Sequence, residues 1–317
     1  MRHQDKVRAA NSGDSSPHDL LDLVIVLDMG NPSNHVSTLL RTETDLAMVK
    51  LRSGQARDDT LEASRMRYAC PCCGYRTLAE APGAAREFCE VCAWETRDAN
   101  DRWSGREAPD LAAAQRSFAE RGVCDAALAD ITRPPRPEEA RPAWWTAVEE
   151  GARVVTALVE HAFAGVELDG GVSLDEAELI DDYALPARTE RDPPPRGYGK
   201  GPPWRELTRA GLDRFPWGNF PFQDARGIRY HLPAFMVAHL RGEPPPALDS
   251  LLFTLASGHQ LEALSRLLTA AQRHAVARYL VFVASSAAWC AESAVDALRK
   301  RWGEDIDPDQ LAHVASA

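Results

Sequence analysis

The chain has 317 residues and a formal net charge of −11, with 44% hydrophobic and 26% charged residues. This composition is typical of a globular protein that buries a sizeable core. The acidic balance argues against a general binder of nucleic acid or of an anionic membrane, because binding to phosphates requires a concentrated excess of Lys and Arg. We therefore expect neither nucleic acid nor a membrane as a partner.

The cysteine content indicates a reducing compartment. The chain has 7 cysteines, and five of them lie between residues 70 and 92, a distribution unlike that of a secreted disulfide framework. The apolar run from Leu20 to Met29 is short and contains Asp22 and Asp28, so it fits neither a signal peptide nor a membrane span. We expect a cytoplasmic protein.

Residues 1–66 differ from the rest of the chain in being largely polar. The run from Leu23 to Leu27 has the composition of a strand, but a lone strand has no neighbour against which to bury its faces. Polar segments of this kind do not bury enough apolar surface to fold. We predict that residues 1–66 form a mostly disordered N-terminal extension.

The clearest motif consists of two Cys-x-x-Cys pairs, Cys70/Cys73 and Cys89/Cys92, which are separated by fifteen residues. This spacing is typical of a four-thiolate zinc site, because two knuckle turns can place four sulfurs tetrahedrally around one ion. Gly74 fits such a turn, since the residue after the second cysteine often needs a positive φ. The pattern predicts a structural Zn²⁺ site.

Alternatives remain open within this motif. Cys72 is a spare thiol, and a site that uses Cys72 in place of Cys73 is compatible with the sequence. Such a thiol could also form a disulfide under oxidation and release the metal. Rubredoxin-like iron sites share the paired pattern, so iron and electron transfer are the alternative to zinc.

A helix is predicted to follow the cysteines, from Leu111 to Gly122, with Asp110 as its N-cap. Leu111, Gln115 and Phe118 share one face, which we expect to lie against the metal module. The module therefore spans residues 67–131. A Pro-rich linker is predicted at residues 132–143, where Pro fixes an extended backbone.

Residues 144–303 show mainly helical periodicity, and residues 304–317 are predicted to be a tail. Ser173 starts one helix, and the segment from Phe220 to Tyr230 is predicted as two short strands. Pro233 is expected in the first turn of the next helix. The predicted fold class is α+β: a small zinc-ribbon-like β-hairpin module with a following helix, then a mainly α-helical C-terminal domain.

The cysteine stretch resembles a known family. Its opening, Cys-Pro-Cys-Cys-Gly-Tyr at residues 70–75, and its second Cys-x-x-Cys block are similar to those of the bacterial cysteine-rich CPCC family, over roughly residues 67–122. The second block departs from the usual form at Glu90 and Ala93, where Pro and Gly are common. The resemblance carries no activity, and the metal ligands that it implies are Cys70, Cys73, Cys89 and Cys92.

The C-terminal half resembles an uncharacterised bacterial family over roughly residues 150–285. The resemblance rests on an Ile-Asp-Asp-Tyr segment at residues 180–183 and a Tyr-x-Leu-Pro-Ala segment at residues 230–234. It implies a domain rather than a reaction.

These observations favour a non-enzymatic protein that acts by binding another protein. A closed four-thiolate site has no position for a substrate, and no nucleophile elbow, P-loop or dinucleotide fingerprint occurs in the sequence. An immunity-type protein that neutralises a toxin is one form of this hypothesis. The alternative is an enzyme whose site lies between Asp181-Asp182-Tyr183 and Tyr230-His231, where adjacent carboxylates could perform acid/base chemistry.

Overall fold

A short antiparallel hairpin carries the cysteine module. Strand β1 (Tyr68–Ala69) pairs with β2 (Arg76–Leu78), with Tyr68 opposite Leu78 and an irregular register beside it. The hairpin has almost no apolar core of its own: the buried side chains around Leu78 are mainly cysteines. The fold of the module therefore depends on what the cysteines bind.

The structure is a computed structural model, and it describes residues 67–96, 110–187, 203–216, 218–243, 247–286, 290–304 and 306–315. The predicted extension, residues 1–66, lies outside the described residues. Met66–Ala317 forms one compact unit, so the cysteine module and the helical domain share contacts.

Helix α1 (Leu111–Arg121) forms as predicted. The Asp110 carboxylate accepts a hydrogen bond from the Ala113 amide at 3.1 Å, and Gly122 ends the helix with a φ of 76°. Leu111 and Phe118 pack against the cysteine cluster, which confirms the predicted face.

Gln115, on the same face of α1, connects the module to the helical domain. Its Nε2 donates to the Pro71 carbonyl at 2.8 Å, and its Oε1 accepts from the Val148 amide at 2.8 Å. One buried side chain thus bridges the first cysteine turn and the start of the next helix.

The helical domain is built around α8, which contacts α2, α9 and α10. The fold class is confirmed, since a two-stranded antiparallel hairpin beside the cysteines precedes a mainly helical domain. None of the helices in the described ranges is long and apolar enough to cross a membrane. The helices after α1 are α2 (Val148–Ala162), α3 (Leu174–Asp181), α4 (Arg209–Asp213), α5 (Ala225–Leu240), α6 (Leu248–Ser257), α7 (Leu261–Leu267), α8 (Ala270–Ser286), α9 (Ala291–Ala297) and α10 (Pro308–Ala315).

The two strands predicted between Phe220 and Tyr230 are wrong. The chain forms a 3₁₀ turn, Phe220–Phe222, and then enters α5, where the Asp224 carboxylate accepts from the Gly227 amide at 2.8 Å as an N-cap. The Asp-Ala-Arg-Gly segment resembles a hairpin turn, but it forms the first turn of a helix. Pro233 lies in the middle of α5 rather than at its start.

The last helix packs on the module. Residues 304–317, predicted as a tail, include α10, whose Asp309 carboxylate pairs with Arg76 of β2 and accepts a hydrogen bond from the Trp144 indole at 2.8 Å. The His313 ring lies 5.6 Å from the Tyr68 ring, centroid to centroid. Both ends of the described chain therefore meet at the hairpin.

Candidate metal centre

The two Cys-x-x-Cys pairs form knuckle turns with the same hydrogen bonds. In each turn, the carbonyl of the first cysteine accepts from the amide four residues later, and its own amide donates to the carbonyl five residues later. These four bonds are Gly74 N to Cys70 O at 2.8 Å, Ala93 N to Cys89 O at 2.8 Å, Cys70 N to Tyr75 O at 2.9 Å and Cys89 N to Trp94 O at 2.8 Å.

The residue after each pair adopts the left-handed conformation. Gly74 has a φ of 79°, and Ala93, in the equivalent place, has a φ of 65°. Glycine adopts this conformation freely, whereas a residue with a Cβ is disfavoured there by about 1–2 kcal/mol. The presence of alanine instead of glycine at position 93 therefore leaves the shape of the turn unchanged but strains the backbone of the second knuckle.

The four sulfurs have the spacing of a tetrahedral site. The Sγ atoms of Cys70, Cys73, Cys89 and Cys92 lie within 4.8 Å of one another, and the Cys70–Cys92 and Cys73–Cys89 pairs are 3.6 Å apart. A tetrahedral ion with metal–sulfur bonds of about 2.3 Å requires sulfurs about 3.8 Å apart. The donor set therefore fits a thiolate-bound metal ion, and the four-sulfur group contains Cys73 rather than Cys72.

Burial and hydrogen bonding among the thiols both affect the protonation of this cluster. The four cysteines are 0% exposed, and burial raises the pKa of the Cys70 thiol. Hydrogen bonding to Cys70 lowers the pKa of Cys89, whose sulfur also lies 3.0 Å from the Thr77 hydroxyl. Since a metal binds thiolates, ion binding must displace the protons that the buried cluster holds.

The segment after α1 covers the second knuckle. The Cys124 amide donates to the Cys92 carbonyl at 2.8 Å, and the Arg133 amide donates to the Glu90 carbonyl at 2.9 Å. Cys124 is half-buried beside the cluster, and burial raises the pKa of its thiol to about 11. The start of the predicted linker, residues 132–143, is thus hydrogen-bonded to the metal module.

An ion pair that the sequence did not reveal fixes this segment. The Arg133 guanidinium contacts the Glu139 carboxylate at 2.5 and 2.8 Å and the Glu90 carboxylate at 2.7 Å. The Glu139 side chain is 2% exposed and also accepts from the Arg136 amide at 2.8 Å. The sequence did not indicate that Glu139 is buried, because a charged residue beside prolines usually lies in solvent. In the structure it lies in the 3₁₀ turn Pro137–Glu139.

Among the described residues, the two segments of the alternative enzyme site differ in exposure. Asp181 and Asp182 are exposed at the end of α3, and Tyr183 is 96% exposed. Tyr230 and His231 are buried within α5. The His231 Nδ1 donates to Gln223 Oε1 at 2.9 Å and to the Gly227 carbonyl at 2.7 Å, and burial lowers its pKa to about 4. This histidine is a neutral, hydrogen-bonded core residue.

Comparisons with known proteins find two family models that match separate parts of the chain. Residues 68–139 match the family model described as cysteine-rich CPCC, which confirms the resemblance of the first motif. Residues 152–306 match a model described as a family of unknown function, DUF6714. Neither the curated proteins nor the solved structures gave a match. The chain thus joins a segment similar to the CPCC family to a segment similar to the DUF6714 family.

Proposed function

We propose that this chain is a cytoplasmic bacterial zinc protein, in which one Zn²⁺ bound by Cys70, Cys73, Cys89 and Cys92 holds the hairpin module together. The observation that carries the proposal is the set of four fully buried sulfurs at tetrahedral spacing. Four thiolates complete the coordination of zinc, so the ion has no open position for a substrate or an activated water. Its contribution is to the free energy of folding.

Metal analysis with native mass spectrometry tests this proposal. Purified protein should carry one zinc ion per chain, and Cys73→Ser should lose it. Cys72→Ser is the matched control, because it changes the neighbouring buried thiol and should retain the metal. A red protein that contains iron after aerobic purification would replace zinc with a rubredoxin-like site. Equal metal loss in both variants would overturn the ligand set.

Protein binding is the second part of the proposal, and the end of α3 supports it. The Tyr183 amide donates to the Ile180 carbonyl at 3.1 Å and the Ala184 amide to the Leu179 carbonyl at 2.8 Å, the two hydrogen bonds of a Schellman motif. The residue at the position of Tyr183 is usually glycine, because its backbone is left-handed. Tyr183 has a φ of 58°, and because its ring is exposed, packing of the ring does not offset the backbone strain.

The neighbouring charges are also unfavourable for folding. Asp181 and Asp182 lie at a helix C-terminus, where the partial negative charge of the helix disfavours carboxylates. The consecutive residues Asp181, Asp182 and Tyr183 are thus each unfavourable for the stability of the isolated chain. A surface that binds a partner accounts for them, since tyrosine is enriched among the residues that dominate protein interfaces.

Comparative affinity capture from the native host tests this second part. The wild type should enrich a partner that Tyr183→Gly fails to enrich, whereas Phe253→Ser should still enrich it. Phe253 is a suitable control because it is an aromatic residue 58% exposed on α6. If the partner is a toxin that the chain inhibits, the function is of the immunity type. Equal capture by all three proteins would exclude a role for Tyr183.

A further inference from the structure

Three aromatic rings surround the guanidinium of Arg141. Its central carbon lies 4.6 Å from the ring centroid of Tyr75, 5.2 Å from that of Trp145 and 5.7 Å from that of Phe118. The Tyr75 and Phe118 rings are nearly perpendicular, with an interplanar angle of 76° and centroids 6.4 Å apart. All three distances are within the range of a cation–π interaction.

Among the described residues, the cation in this cage has no anionic partner. Within the described ranges, Arg141 makes no hydrogen bond or ion pair, whereas Arg76 and Arg133 each pair with a carboxylate. The chain has an excess of acidic residues, so carboxylates are abundant. Arg141 is therefore held by ring faces, and because the residue is exposed, a competing cation can reach the same place.

The cage is preorganised by the metal module. Tyr75 follows the first knuckle, Phe118 lies on α1, which packs on the cysteine cluster, and the Trp145 indole lies directly against Gly74. The rings are therefore positioned by the fold before any ligand arrives, which lowers the entropic cost of binding.

We propose that Tyr75, Phe118 and Trp145 form a binding site for an organic cation, and that Arg141 is an internal occupant which an external ligand displaces. The ligand class is an alkylated ammonium or a guanidinium group. Such cations are weakly hydrated and are attracted by the negative faces of aromatic rings. The three rings supply no carboxylate oxygen for a hard metal ion, which prefers oxygen ligands.

Titration of the metal-loaded full chain with choline, followed by calorimetry and by the indole N–H resonance of Trp145, tests the site. Arg141→Ala should bind choline about tenfold more tightly than the wild type, because the internal competitor is removed. The neutral analogue 3,3-dimethyl-1-butanol has the same shape without the charge and should not bind detectably. Equal binding of the two compounds, or no binding of choline to Arg141→Ala, would overturn the proposal.

Two further variants, each checked for native far-UV circular dichroism, separate the effect of the cage from effects on folding. Arg141→Gln retains a long polar side chain and should show the same gain as Arg141→Ala. Arg141→Ala combined with Phe118→Leu retains apolar volume but removes one ring, and it should lose most of the gain; full retention would contradict the cage. Peptides that contain trimethyllysine or arginine, titrated beside choline, identify whether a protein side chain or a free small molecule is the better ligand. The proposal depends neither on the metal being zinc nor on a partner at Tyr183.

Discussion

The indole of Trp145 lies against the backbone of Gly74, so close that a Cβ at position 74 would meet three indole carbons at 2.5–2.8 Å. Gly74 also has a φ of 79°. Two independent physical reasons thus require glycine here: the left-handed turn after the first cysteine pair and the contact with the helical domain. This contact places the knuckle and the start of the helical domain in one packed unit.

Gly74→Ala should destabilise the metal-loaded protein by about 2–4 kcal/mol, the sum of the cost of a left-handed alanine and of the clash with the indole. Urea denaturation, followed by far-UV circular dichroism, measures the change. Gly122→Ala is the matched control, because Gly122 has a φ of 76° and a Cβ added there would meet no atom within 4 Å. It should lose only about 1–2 kcal/mol. Equal losses in both variants would show that the Trp145 contact contributes nothing.

Local sequence rules were sufficient for the parts of the fold that depend on neighbouring residues. The cysteine spacing predicted the four sulfurs that the structure brings together, and Asp110 and Gly122 predicted the ends of α1. Each of these features depends on a turn or a cap within a few residues, which sequence patterns capture.

Features that depend on distant contacts were not predictable in this way. Gly227 suggested a hairpin turn, but it lies in the first turn of α5, where a Cβ would meet the Val172 carbonyl oxygen at 2.2 Å. Nothing near Gly227 in the sequence reveals this approach of another segment. The same holds for the cation–π cage, whose rings come from three separate segments that only the folded chain joins.

The ion pair between half-buried Arg133 and buried Glu139 should make stability depend on acidic pH. Hydrogen bonding to the Arg133 guanidinium holds the pKa of Glu139 below its usual value. Because the folded-state pKa is the lower one, the stabilisation is fully present above the unfolded pKa of about 4.3 and is lost as pH falls through the folded-state pKa.

Glu139→Gln should therefore destabilise the protein at pH 7 by about 1–2 kcal/mol, since the partly exposed Arg133 loses one of its two carboxylate partners and keeps Glu90. The difference from the wild type should shrink as pH falls below about 4. Denaturant melts of both proteins between pH 3 and pH 7 provide the measurement. Glu138→Gln is the control, because Glu138 is an exposed neighbour. A pH-independent difference would mean that the pair acts through packing alone.

Buried histidines predict a second loss of stability, at higher pH. Burial lowers the pKa of His231 from 6.5 to about 4, and burial lowers those of His239 and His313 to about 4 as well. As pH falls from 6.5 to 4, the unfolded chain binds protons that the folded chain does not, so stability decreases across this window. Each histidine contributes a slope of up to about 1.4 kcal/mol per pH unit.

His231→Asn isolates one of these contributions, because the Asn amide can donate to the same acceptors as the ring Nδ1. The variant should be somewhat less stable than the wild type at pH 7. Between pH 6.5 and 4 its stability should decrease less steeply as pH falls, because its unfolding takes up about one proton fewer. Melts at several pH values measure both slopes. Identical slopes would show that His231 takes up its proton over the same pH range in the folded and the unfolded chain.

Tyr183 provides a prediction in which stability and binding change in opposite directions. Tyr183→Gly removes a strained left-handed backbone, and the exposed ring makes little contact that could be lost. The folded protein should gain about 0.5–1 kcal/mol, because the relief of strain exceeds the added flexibility of the unfolded chain. Thermal denaturation measures this gain, and Tyr183→Ala, which keeps a Cβ and so keeps the strain, should show none. A loss of stability in Tyr183→Gly would mean that the ring packs within the chain. A gain in stability together with the loss of a captured partner would identify Tyr183 as a residue kept for binding at a cost to folding.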